Sequence, residues 1–307
     1  MLLLKWLINI MRYIRKVNLS LFSIHGSVCF GYAKIALVIY YFVLGRIIMS
    51  NTSNQKAEKG SKYWMQEIVN TKFLREELEN KLGVKSLEWI SPLENESYDE
   101  YKLTEEKLKE KIPSLKEVDF SFWPKNGPEW DAIALSEDGS ELYLFEAKSH
   151  LTEMYKETGA GADSLKVISK CMQETCTKLF GSESKYNKEI WEKSEVKDKK
   201  KNPSFYQLGN RLTFLYYLNE RRDVTKLSKS IKAKLVLLNI VNDYTHNDKN
   251  KMISRGEWEE HYKKVFCMMK YGDDSEEKLE EIKIPENVEI IYFEPSWKYN
   301  RSELLEE

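Results

Sequence analysis

The stretch PEWDAIALSEDGSELYLFEAKSH, residues 128–150, decides how this chain is read. Two strand-like runs, WDAIAL (130–135) and ELYLFEAK (141–148), flank SEDGS. An Asp-Gly pair between such runs is a strong hairpin signal. With a two-residue turn at Asp138-Gly139, Asp131 falls opposite Glu146 and Glu129 opposite Lys148. Opposed residues of an antiparallel ladder share a face, with Cβ atoms about 4.5–5.5 Å apart. One face then carries Asp131, Ile133, Leu135, Leu142, Leu144, Glu146 and Lys148. The other carries Ala132, Ala134, Tyr143, Phe145 and Ala147. Both are largely apolar, as in a sheet covered on two sides. The register rests on the turn, because a shift of one residue would exchange the faces.

Two carboxylates facing each other in such a place repel, and one takes up a proton unless a cation compensates. Hard oxygen ligands suit Mg²⁺, with Mn²⁺ as a substitute; Mg²⁺ keeps several waters and uses one or two carboxylates plus substrate phosphate. A lysine beside the pair suits an attacking hydroxide or the charge of a pentavalent phosphorus transition state. Without a metal, the same three residues make a salt-bridged rim at strand ends.

Working outward, SKYWMQEIVNTKFLREELENKL (61–82) has helical periodicity and stops at Gly83. LEWISPL (87–93) reads as a short strand, ESYDEYKLTEEKLKEKI (96–112) as a charged helix, and VDFSFWP (118–124) as the first strand of a three-strand meander. Beyond the hairpin, 164–180 and 204–221 read as helices, with Asp163 or Ser164 capping the first. AKLVLLNIV (233–241) is a buried strand, 256–270 a helix and NVEIIYFEP (287–295) a last strand. The order predicts an α/β domain with a mixed central sheet flanked by helices.

Composition excludes several classes. The chain has 307 residues, 32% of them charged, with 13 Gly and 7 Pro, so it is neither collagen-like nor low in complexity. Four cysteines in a chain of this length do not make a disulfide framework. Cys171 and Cys176 read as core thiols, and the four histidines show no metal-ligand spacing. His150 follows Lys148 as a loop-end residue or a phosphate contact. No P-loop and no G-x-S-x-G elbow occurs.

The net charge of −1 hides an asymmetry. Residues 1–48 hold six of the 48 basic residues and none of the 49 acids, which leaves 42 against 49 in residues 49–307. The body is therefore acidic, and general affinity for polyanions is not expected of it. The lysine-rich run 193–201 is interleaved with acids and reads as a solvated loop. The leader 1–48 fits a start assigned too early, with Met49 as the working first residue and a cytoplasmic protein. It also fits a membrane anchor over Val28–Met49, which contains Lys34 and Arg46, or a packed N-terminal element. A membrane partner is expected only if that leader is real.

Asp131 at the end of one strand, a hairpin, then Glu146-Ala147-Lys148 in the next resembles the PD-(D/E)xK nuclease superfamily. Pro128 leads the motif but stands two residues before the position next to Asp131. The order helix, three-strand meander, helix, strand over roughly 60–240 is similar to that family's restriction-endonuclease-like core. The resemblance implies metal binding by Asp131, Glu146 and the carbonyl of Ala147, with Lys148 orienting the attacking water. It implies an acid on the first helix, for which Glu67 is the match, and a catalytic Gln on a later helix, for which Gln207 is the match. Some members have Tyr four residues after that Gln; here the position is Arg211. Asn210 and Arg211 are alternative phosphate contacts; a plain solvent-facing helix position also accounts for Glu67, and ordinary capping or surface polarity for Gln207, Asn210 and Arg211. The implied function is a Mg²⁺-dependent nuclease acting on nucleic acid, DNA before RNA. The alternative is a non-catalytic module that keeps the fold and binds nucleic acid or protein.

Overall fold

The hairpin forms in the expected register: Ala132 pairs with Phe145, Ile133 with Leu144, Ala134 with Tyr143 and Leu135 with Leu142. The turn differs from the two-residue form. The Gly139 N–H donates to the Ser136 carbonyl (2.8 Å), Gly139 takes the left-handed φ of 70°, and Glu141 begins the return strand. The extra loop residues leave the pairing unchanged, because the hydroxyl of Ser136 accepts from the Glu141 N–H and holds the ends together (2.8 Å).

These strands belong to a computed structural model that describes residues 56–124, 127–193, 204–246 and 252–295. Expectations for residues 1–48, and for 193–201 beyond Lys193, lie outside them. Helices α1 (Gly60–Asn70) and α2 (Lys72–Leu82) lead into strands β1 (Leu87–Ser91) and β2 (Tyr101–Lys102) and helix α3 (Glu106–Lys111). Strands β3 (Glu129–Trp130), β4 (Ala132–Ser136) and β5 (Glu141–Lys148) follow, then helices α4 (Ala162–Phe180), α5 (Lys188–Trp191), α6 (Tyr206–Glu220) and α7 (Arg222–Thr225). Strand β6 (Lys232–Ile240), helices α8 (Arg255–Tyr271) and α9 (Glu276–Leu279) and strand β7 (Val288–Phe293) complete the order. Among the described residues no helix is long and apolar enough to cross a membrane.

The main sheet runs β1-β4-β5-β6-β7. β1, β4 and β5 are antiparallel neighbours; β5, β6 and β7 are parallel. β6 is a near-continuous apolar run because both its faces are covered. Ile133, Leu142, Leu144, Leu235 and Leu237 share a core with α4, α6 and α8. Ala132, Ala134, Tyr143, Phe145, Val236 and Leu238 share the other with α1 and α2. The chain is thus mixed α/β with helices on both sides of a five-stranded sheet.

Several local expectations are corrected. The helix expected over 61–82 is two helices, broken at Thr71, whose extended backbone (φ −111°, ψ 115°) ends α1. Asn70 fixes the break: its amide donates to the carbonyls of Gln66 and Pro92, and its Oδ1 accepts from the Glu94 N–H. The first strand of the meander is β1, not 118–124. Val118, Phe120 and Phe122 are buried in irregular backbone, so their alternation records burial and not a ladder. The helix expected over 96–112 shrinks to α3, and the residues before it supply β2, which pairs with β3 as a separate two-stranded ribbon. The residue capping α4 is Gly161, with no side-chain cap from Asp163 or Ser164.

Gly209 of α6 shows how tightly the α5–α6 contact is packed. A Cβ there would sit 2.8 Å from Cε3 of Trp191, which is fully buried. Gly209→Ala is expected to destabilise the protein by about 1–3 kcal/mol through overpacking. Thermal melting checks this: an unchanged midpoint would mean that Trp191 gives way freely.

Candidate active site

Asp131 sits at the bend between β3 and β4, where the chain leaves one ladder for another. Its N–H still donates to the Phe145 carbonyl (3.2 Å), and its Oδ2 accepts from the Ala147 N–H (2.7 Å). Asp131 is therefore tied to β5 beside Glu146, as the hairpin implies. Glu129, expected opposite Lys148, is not in that ladder. It pairs with Lys102 in the ribbon, and its carboxylate reaches the Lys102 ammonium (3.2 Å). The two-sheet split at Asp131 is the reason.

Glu146 and Lys148 are buried on β5, and Lys148 contacts both the Glu146 carboxylate and the Ala147 carbonyl, the latter at 3.1 Å. The remaining carboxylate oxygen of Glu146 accepts from Nε of Arg211 (2.6 Å). Arg211 also donates to the Glu129 carbonyl (2.7 Å) and lies 4.6 Å over the Trp130 ring. It is 4% exposed, and its guanidinium is engaged by Glu146, Glu129 and the Trp130 ring. It is the clamp that orients Glu146.

The electrostatics divide the two acids. Burial alone would raise Glu146, but Arg211 and Lys148 outweigh it and hold the carboxylate below its ordinary range. Burial raises Asp131 to about 7, and the Glu146 charge adds to the rise. Lys148 is pushed up: burial opposes its charge, but Glu146 and Asp131 prevail. Lys148 thus remains an ammonium and acts as a charge and hydrogen-bond donor, not as a base. Asp131 changes protonation near neutrality, the behaviour expected at a functional site.

A third acid was missed from sequence. In the ribbon, Tyr101 pairs with Trp130 and Lys102 with Glu129. Glu100 directly precedes the paired Tyr101, as Asp131 directly follows the paired Trp130. Asp131 therefore feels the Glu100 charge from the ribbon side and the Glu146 charge from the main sheet. Burial raises Glu100 despite its ion pair with Lys62 (3.0 Å), and its charge in turn raises Asp131. The legible signal was the alternation in DEYK against EW, too short to stand out from its charged surroundings. Glu100→Gln is expected to lower the Asp131 pKa. Carbon-13 NMR titration of that carboxyl would show it; an unmoved midpoint would mean that Glu100 is screened from Asp131.

The remaining candidates are spread. Glu67 pairs with Lys56 (2.6 Å), and Glu100 rather than Glu67 is the further acid that Asp131 feels. Gln207 stands one turn before Arg211 on α6, and its Oε1 is buried with no hydrogen-bond partner. Asn210 bridges Tyr206 and Arg211. His150 contacts Thr152 (2.7 Å) and Glu153 (3.3 Å) just beyond β5. Cys171 and Cys176 are buried, as expected of core thiols.

No protein-family model, curated protein or solved structure matches this chain. The site is therefore read from its own residues. Among the described residues, no group of three or more His, Cys, Asp or Glu is placed to hold a metal ion. Mg²⁺ does not need such a cage, because it retains waters and takes only one or two carboxylates. The donor set suits it: hard oxygens from Asp131 and Glu146, and an Asp131 carboxyl that burial first, and the Glu146 charge second, raise to about 7.

Proposed function

We propose that this protein is a metal-dependent nuclease with a restriction-endonuclease-like core, hydrolysing phosphodiester bonds of nucleic acid, DNA before RNA. The observation that carries this reading is the convergence of Asp131 with the buried Glu146 and Lys148 at one end of the hairpin. Helices, an antiparallel trio, a helical crossover and a parallel strand in that order support it. Asp131, Glu146 and the Ala147 carbonyl would hold Mg²⁺ or Mn²⁺, with Glu100 within electrostatic reach. Such an ion supplies a Lewis acid for the phosphoryl oxygen and lowers the pKa of bound water.

The chain's own residues have distinct tasks. Arg211 fixes the Glu146 carboxylate. Lys148 presents an ammonium to the attacking water and to the charge that grows on phosphorus. Asp131, deprotonated above about pH 7, supplies the second carboxylate. Loss of one such charged donor typically costs about 10²–10³ in rate. Lys148→Ala is therefore expected to reduce metal-dependent cleavage at least about 100-fold. Purified protein would be incubated with single- and double-stranded DNA and RNA, with Mg²⁺, Mn²⁺ or EDTA. Cleavage that persists in Lys148→Ala, or in EDTA, would remove this reading.

One observation favours a second reading. Glu146 already has two cationic partners, so the pair needs no ion to be neutralised. That arrangement also suits a non-catalytic module that keeps the fold and binds nucleic acid or a protein partner. Binding without cleavage under every metal tested would select it.

A further inference from the structure

A cavity of about 730 Å³ opens where the chain enters α4 and α6. Trp123, Pro124 and Tyr206 form its ring-bearing walls, Ile168 lies at its apolar side, and Thr158 and Ser164 add hydroxyls. The walls are held in place. The Trp123 ring packs edge-on against Phe214 (centroids 5.5 Å apart), and the Tyr206 hydroxyl accepts from Asn210 (3.4 Å). No lysine or arginine is among the described residues that line it, and its one acid, Asp163, is paired with Lys166 (3.3 Å). A volume of this size lies within the range of small-molecule sites. Ring-bearing and apolar walls with hydroxyls beside them suit a flat heteroaromatic ring with hydrogen-bonding edges.

The cavity is connected to the candidate active site. Tyr206 is bonded to Asn210, Asn210 to Arg211, and Arg211 to Glu146. The two also lie toward the same end of the strands. Asn219, near the end of α6, bonds Ala233 at the start of β6, so the first turn of α6 lies toward the far end, where β5 and β6 finish. Lys148 is the last residue of β5.

We propose that this cavity is a nucleobase subsite, in which a base of the nucleic-acid substrate stacks on the half-buried Tyr206, beside the edge of the buried Trp123, and hydrogen-bonds to the hydroxyls. The assignment rests on the nucleic-acid reading above, but does not need catalysis. Stacking of a base on an aromatic side chain is sequence-tolerant and worth about tenfold or more in affinity. The subsite therefore gives an acidic protein a means of holding nucleic acid that does not depend on a basic coat.

Saturation-transfer NMR on the full chain in EDTA, with AMP, CMP, GMP and UMP as probes, tests the proposal. Transfer to base protons should exceed transfer to ribose protons. Ser164→Glu, which introduces a charge into the cavity, and Tyr206→Ala should each weaken nucleotide binding about tenfold. The melting profile of Ser164→Glu should stay that of the parent. Saturation of base protons that survives both substitutions, or no nucleotide binding by the parent chain, overturns the subsite. A parent chain that holds the base, variants that release it, and no cleavage by any of them would keep the subsite and remove the nuclease reading alone.

Discussion

Replacing Arg211 with methionine is expected to destabilise the protein by about 3–5 kcal/mol, the usual loss when one member of a buried ion pair is removed. Arg211 and Glu146 are both nearly inaccessible. Methionine keeps most of the stem volume, so the loss reports charge and hydrogen bonds, not a cavity. It strands one Glu146 oxygen, frees the Glu129 carbonyl and removes the cation from the Trp130 ring. Urea unfolding at neutral pH measures the effect. A change below about 1 kcal/mol would place Arg211 among screened surface pairs. Adding Glu146→Gln should recover part of the loss, because the orphaned charge is then gone, and the non-additivity of the pair measures their coupling.

Asp131→Asn is expected to do the opposite, and its effect depends on pH. The folded-state pKa of Asp131 lies at about 7, above an unfolded value near 3.9. A raised carboxyl pKa means that the folded state binds the proton more tightly. Its contribution is fully present below about pH 4 and is lost as pH rises through 7. A rise of about three units corresponds to at most about 4 kcal/mol at pH 8. The partial exposure of Asp131 trims that ceiling. Asparagine never ionises and can still accept from the Ala147 N–H. The variant should therefore match the parent near pH 4 and exceed it increasingly toward pH 8 in metal-free buffer. Mg²⁺ should stabilise the parent at pH 8 and leave the variant unmoved. A variant less stable than the parent at pH 8 would make Asp131 a structural salt-bridge partner.

Much of this site was legible because a tight hairpin converts sequence distance into a register. The placement of Asp131 beside Glu146, and of Lys148 on the same face, needed only the strand period and the turn. Arg211 was visible as a residue but not as a clamp, since α6 approaches β5 from far along the chain. Glu100 was hidden for a different reason: two-residue strands carry too little periodicity to register against a helical charge pattern. The false strand at 118–124 has the converse cause. Val118, Phe120 and Phe122 alternate because each meets the core, while the Ser121 N–H donates to the Asp119 carboxylate as in a turn. Burial and pairing leave the same trace in one sequence.

The bend at Asp131 has a mechanical consequence. Asp131 is tied to β5 beside Glu146 in the main sheet, while Glu100 lies just before the ribbon strand that pairs with β3. The ribbon is held to the main core by the buried rings of Tyr101 and Trp130 and by Arg211 at the Glu129 carbonyl. The same guanidinium fastens the Glu146 carboxylate. One side chain of α6 therefore braces both sheets where their acids meet.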